Sequence, residues 1–139
     1  MKKAHKILTG FLGISMFMFG MLKFVNPFKG WYSVQVQMSA LPLQSLSYWA
    51  GQLGEILVGA AFIVLAFSCL VQKSRVKNLI SVYGNLLIVV MMLAAFYVHM
   101  HPDVPASVLP LKIRPPAIPA VFLVLAVVNI YAGRKSLQK

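Results

Sequence analysis

The chain offers few residues that could do polar chemistry, and they stand in unusual places. Its only acids are Glu55 and Asp103, set against thirteen lysines and arginines, three histidines and one cysteine. Lys23 lies in FGMLKFVNPF and Glu55 in GQLGEILVG, both inside runs that are otherwise apolar. Ionisable groups in such runs are costly in hydrocarbon and face a partner or a polar cavity. Further along, HMHPD brings His99, His101 and Asp103 together, with Arg114 in the same inter-helix loop. A metal site needs three or four converging ligands. Residues two apart do not share a helix face, so these three could converge only if a helix ends near Met100. With no other ligand cluster in the chain, metal binding stays open. The plainer reading is a polar loop in which Asp103 answers Lys112 or Arg114.

Other chemistry is excluded by what the sequence lacks. It has no nucleophile–base–acid set, no phosphate-binding loop and no dinucleotide glycine motif. Cys69 stands alone, so there is no internal disulfide and no CxxC pair. That rules out thiol–disulfide chemistry of the vitamin K epoxide reductase type, and Cys69 reads as a small packing residue. The chain is therefore not expected to be catalytic on its own. Any chemistry would belong to a bound cofactor.

The elements that must position these residues are membrane helices. The chain has 139 residues, 60% of them hydrophobic, and a mean hydropathy of +0.81. Four apolar runs, 7–26, 48–71, 79–98 and 118–133, approach the roughly 20 residues that cross a bilayer core. The N-terminal run is too long for a signal peptide and no small-x-small cleavage site follows it, so it reads as a retained span. The expected fold is an all-α, integral membrane four-helix bundle forming a single membrane domain over 1–139.

The net charge of +11 could suggest nucleic acid, but its distribution argues for topology. Lys2, Lys3 and Lys6 precede the first run, Lys73, Arg75 and Lys77 separate the second from the third, and Arg134, Lys135 and Lys139 follow the fourth. Nine of the thirteen basic residues thus fall on one side, which places both termini in the cytoplasm of a cell's inner membrane. No basic face is left over for nucleic acid.

Two long outer loops, 27–47 and 99–117, follow from that orientation. The first holds Trp31 and Tyr32 and runs into Tyr48 and Trp49, residues suited to a membrane interface. Trp31, Val34, Met38 and Leu41 fit one face of a short interfacial helix, whereas a lone strand would have no partner. The second loop carries most of the chain's prolines and cannot be regular helix.

Spans one and two run in opposite directions, and Cβ atoms tilt toward each helix N-terminus. As antiparallel neighbours they would aim Lys23 and Glu55 at one depth, as an ion pair or the wall of a ligand pocket. Lys23 could also snorkel to the headgroups. Gly51 and Gly59 flank Glu55 on one face, and Gly13 and Gly20 lie near the Lys23 face, spacings that let helices approach closely. Asn85, Met92, Phe96 and His99 share a stripe on span three, as do Phe122, Ala126 and Asn129 on span four. Polar groups are therefore expected in the outer half: Lys23, Glu55, His99 and Arg114.

TGFLGISMFMFGMLKFVNP followed by ALPLQSLSYWAGQLGEILVGAAFIVLAF resembles the DoxX-like family of small four-span membrane proteins. The resemblance rests on a glycine-bearing first span ending in Lys23-Phe24, and on Glu55 flanked by Gly54 and Gly59. The loop before Pro119 has no counterpart. The resemblance implies an accessory or anchor subunit in quinone-linked redox or oxidative-stress chemistry, with quinone as the cofactor and a redox enzyme as partner. It equally implies a non-enzymatic scaffold, cargo receptor or assembly factor for another membrane protein. A third expectation, a small proton-coupled transporter with Glu55 as carrier, fits the long outer loops poorly. Membrane lipid is a partner in every case, and homo-oligomerisation is left open.

Overall fold

A computed structural model describes residues 3–67 and 74–134. The positions of Lys2, Cys69, Lys73, Lys135 and Lys139 lie outside the described residues. Among the described residues the structure is all-helical, with helices α1 (Lys3–Leu22), α2 (Phe28–Met38), α3 (Gln44–Phe67), α4 (Ser74–Met100) and α5 (Ala117–Arg134). Two short 3-10 turns, Ala106–Val108 and Pro110–Lys112, interrupt the loop before α5. Three helices, α1, α3 and α4, are long and apolar enough to cross a membrane, and α5 is a shorter apolar helix.

The first two long helices begin earlier than expected, while α4 and α5 overrun the expected 79–98 and 118–133 at both ends. The first span begins at Lys3 and stops at Leu22, so Lys23 sits just beyond the helix rather than a turn inside it. The next long helix begins at Gln44, which places Glu55 eleven residues in, roughly 16 Å along the axis. Loop 27–47 does contain a helix, α2, but its buried face is centred on Val36, and Met38 is half exposed. The path of the second loop turns on Leu111 and Lys112, both with positive φ. Pro119 stands at the third position of α5, where its missing N–H interrupts no helical bond.

α1 and α3 form the closest pair, because glycines leave room for backbone on backbone. A Cβ on Gly13 would lie 2.8 Å from the Cβ of Phe62 and 2.9 Å from the Ile63 nitrogen. One on Gly20 would lie 3.0 Å from the Ile56 nitrogen, and Gly59 abuts the backbone of Phe17. α4 and α5 make the second extensive pair, and α3 meets α4 over a much smaller surface.

The core is a cluster of Leu12, Met16, Val58, Phe62, Ile88, Met92, Phe122 and Ala126, drawn from all four long helices. Phe19 meets Phe122 edge-on at 5.4 Å, and Gly84 leaves space for the Phe62 ring. Outward stripes are apolar too: Ile7, Phe11, Ile14, Met18 and Met21 on α1, and Val121, Val124, Val128 and Tyr131 on α5 are all largely exposed.

Chain direction alternates around the bundle. His5 contacts Ser81 and lies against Gly133, so α1 starts, α4 starts and α5 ends at one end. Lys23, Glu55 and His99 mark the opposite end.

Candidate ligand pocket

Lys23 Nζ donates to Glu55 Oε1 at 2.7 Å. The antiparallel pairing of α1 and α3 makes this meeting possible, and the glycine seam brings the two helices close enough for one side chain to span the gap. The side chains retain 18% and 11% of their exposure, so the pair is largely removed from solvent. A second contact was not legible in the sequence. Lys23 Nζ also sits 4.0 Å from the centroid of the Tyr32 ring, a cation–π arrangement. Tyr32 reaches that position over Gly51, whose missing side chain leaves room for the phenol oxygen. Its hydroxyl donates to the Tyr48 carbonyl at 2.8 Å, and the two rings lie 4.8 Å apart. Burial pushes the Tyr32 phenol well above its ordinary value, and the Glu55 carboxylate adds to the shift.

These residues line a cavity of about 580 Å³. The volume falls within the range of small-molecule pockets, about 300–1,000 Å³. Phe19, Phe28 and Trp31 supply aromatic wall, and Met91, Met92 and Ile118 supply aliphatic wall. Polar atoms reach it from Lys23, Tyr32, Gln35, Ser47, Glu55 and His99. α2 and the 3-10 turns cover its outer end, where Gln35 Nε2 donates to the Val108 carbonyl. Beside that contact, Val98, Val104 and Leu109 form a small core of their own.

Of the expected site residues, Lys23, Glu55 and His99 line this cavity, and Arg114 does not. Arg114 is exposed and its guanidinium donates to the Pro102 carbonyl at 3.2 Å. Only its backbone approaches the site, its carbonyl lying 3.4 Å from His99 Nδ1. Nor does Asp103 answer Lys112 or Arg114. Its carboxylate lies 3.9 Å from His101, and its backbone N–H points at the same imidazole. His99, turned inward, does not join His101 and Asp103. Among the described residues no group of three His, Cys, Asp or Glu side chains converges as a metal site would require.

Gly13, Gly20 and Gly59 lie in the α1–α3 seam, and Gly51 lies beneath Tyr32. The expectation that polar groups concentrate at one end needs correction. A second buried cluster occupies the opposite end. Asn129 Nδ2 donates to Thr9 Oγ1 at 3.1 Å and approaches Asn85 Oδ1 at 3.3 Å. Asn85 donates to the Ser81 carbonyl at 2.7 Å, and the Ser81 hydroxyl meets His5 Nε2 at 3.1 Å. Thr9, Asn85 and Asn129 have no exposed surface. The cluster ties α1, α4 and α5 together, and none of its residues lines the cavity described above.

Comparison of the chain with protein-family models, curated proteins and solved structures finds no match.

Proposed function

We propose that the protein is a multi-pass inner-membrane protein of DoxX-like type, with α1, α3, α4 and α5 crossing the bilayer and both termini cytoplasmic. It would serve as an accessory or anchor subunit in quinone-linked redox chemistry, holding a quinone ring in the outer half of the bundle. Several features support the membrane reading. Large apolar side chains are exposed along every long helix, from Ile7 on α1 to Val128 on α5, whereas soluble monomers keep contiguous apolar patches small. An even number of crossings agrees with the shared end of α1's start and α5's finish, and Lys3, Lys6, Arg75 and Lys77 lie in the first turns of α1 and α4 at that end.

The observation that carries the ligand reading is the Lys23–Glu55 pair in the wall of a largely apolar cavity of about 580 Å³. The residues fit the group. Aromatic walls suit a planar ring, and Lys23 retains N–H bonds to offer a ring oxygen. Glu55 would hold Lys23 in place or exchange a proton with the ring. The redox chemistry belongs to the quinone and to the partner enzyme.

A scaffold would need small-residue faces free to receive a partner helix. On α1 and α3 those faces are filled from within the chain, Gly13 by Phe62, Gly20 by Ile56 and Gly59 by Phe17. That weakens the scaffold reading. Extraction in native lipid discs without detergent, followed by mass spectrometry, separates the two. Stoichiometric quinone supports the pocket reading, and a protein partner with no small molecule supports the scaffold. Quinone binding left unchanged by both Lys23→Met and Glu55→Gln would remove the site assignment.

A further inference from the structure

The cavity reaches the outer surface of the bundle between α3 and α4. Leu87, Val90 and Ala94 line it, yet all three are exposed, Val90 at 63%. Ala50 is their counterpart on α3, exposed and lining at once. Leu87, Val90 and Ala94 follow helical spacing, so they form one rim along α4. Ala94 and Leu87 lie six and thirteen residues before Met100, the end of α4. At 1.5 Å per residue the rim extends from about 9 to about 20 Å below that end. If α4 crosses the bilayer, this opening lies in hydrocarbon, out of reach of water.

Charge defines the other end of the cavity. Lys23 is neutralised by Glu55 at 2.7 Å. The other cations of this end, Lys29, Lys112 and Arg114, are exposed and do not line the cavity. A phosphate headgroup would find no uncompensated positive charge.

We infer that the pocket takes an uncharged ring-headed amphiphile whose apolar chain leaves sideways through the α3–α4 opening into the bilayer. This rests on the ligand reading above and adds how the molecule lies and which headgroups are refused. The head sits at Lys23, Glu55 and Tyr32, and the chain passes Met91 toward Val90 and Ala94. Met91, on the wall of that path, packs against Gly54, where a Cβ would lie 3.1 Å from its Sδ.

The test compares three probes at known mole fraction in lipid nanodiscs containing the full chain. One is a dimethoxy-methyl-benzoquinone ring alone, one the same ring with a ten-carbon chain, and one a ten-carbon alkyl phosphate. The variants are Ala94→Phe and Ala50→Phe, both at exposed positions, with Val121→Phe on the outer face of α5 as control. Either rim substitution should displace a methylene or two of the chain and weaken the chain-bearing quinone roughly fivefold. The ring alone and the control variant should change less than about twofold, within ordinary surface effects. The alkyl phosphate should bind at least about tenfold more weakly than the chain-bearing quinone, having no counter-charge.

Equal loss for ring and chain, or no loss for either, overturns the sideways path. A similar loss in Leu111→Trp with none in Ala94→Phe also overturns it, placing the chain at Phe28 and Leu111, which line the cavity and are exposed as well. Strong binding of the phosphate overturns the uncharged head. A wild-type protein that binds neither quinone overturns the ligand reading itself, and the chain path with it.

Discussion

Removing Lys23 alone should cost at least as much as removing Lys23 and Glu55 together. At 2.7 Å the two charges attract by about 6 kcal/mol at an effective dielectric constant of about 20. Against this stands the cost of taking both out of water, several kcal/mol per ion. The net contribution of the intact pair is therefore small. Lys23→Met alone leaves Glu55, 8% exposed, without its partner. Losses of about 3–5 kcal/mol follow from breaking a buried pair. Lys23 keeps 18% of its side-chain exposure, which argues for the lower end, about 3 kcal/mol. Glu55→Gln should cost a similar amount. Lys23→Met with Glu55→Gln should cost no more than either alone, giving a coupling of about 3 kcal/mol. Reversible unfolding in mixed micelles, followed by steric trapping, measures all four corners of the cycle. Additivity within about 0.5 kcal/mol would show that the two side chains do not share an environment, and the pocket wall as drawn here would be wrong.

Three other perturbations probe the scaffold around that pair. Gly13→Ala sets a Cβ against the backbone of Ile63, which cannot swing away, so it should destabilise by about 1–3 kcal/mol, while Gly54→Ala, facing only the flexible end of Met91, should stay within about 0.5 kcal/mol; the same unfolding assay ranks them. Asn129→Ala removes bonds to both Thr9 and Asn85 and should cost about 0.6–1.7 kcal/mol, with Asn129→Asp no substitute because it loses the donor. Tyr32 has its phenol pushed up in the folded state from an ordinary 10.0, so the unfolded chain gives up that proton first; stability should hold below about pH 10 and fall above it, and Tyr32→Phe should flatten the fall in a pH series of melting temperatures.

How much of this the sequence carries depends on the kind of interaction. Lys23 and Glu55 were legible because acids are scarce and charges in apolar runs are rare, so the pairing had few alternatives. The helix in loop 27–47 was legible from its apolar spacing, though its face turned out to be centred on Val36. Asn85 and Asn129 stand on stripes that the sequence marks, but their meeting with Thr9, Ser81 and His5 was not legible. Each helix contributes one or two uncharged polar residues, and Thr9 meets Asn129 across 120 residues of chain. Only the rotation of α1 against α4 and α5 decides those contacts, and apolar residues on all sides of α1 leave its rotation poorly marked. Arg114 was misplaced because the loop before α5 turns on Leu111 and Lys112, two side-chain-bearing residues with positive φ. Nothing in their type announces such a turn.

The arrangement of seams has a mechanical consequence. The bundle is two tight pairs, α1 with α3 and α4 with α5, and the polar cluster fastens one pair to the other at the end away from the cavity. From Thr9 to Lys23 is fourteen residues, a lever of roughly 20 Å. A relative tilt of about 5° at the fastened end would move the other end by about 2 Å over that length, with no helix bent and the α1–α3 glycine seam intact. Thr9, Asn85 and Asn129, none of which touches the opening, join the pairs at one end, and the Gln35–Val108 bond joins the segments between them at the other.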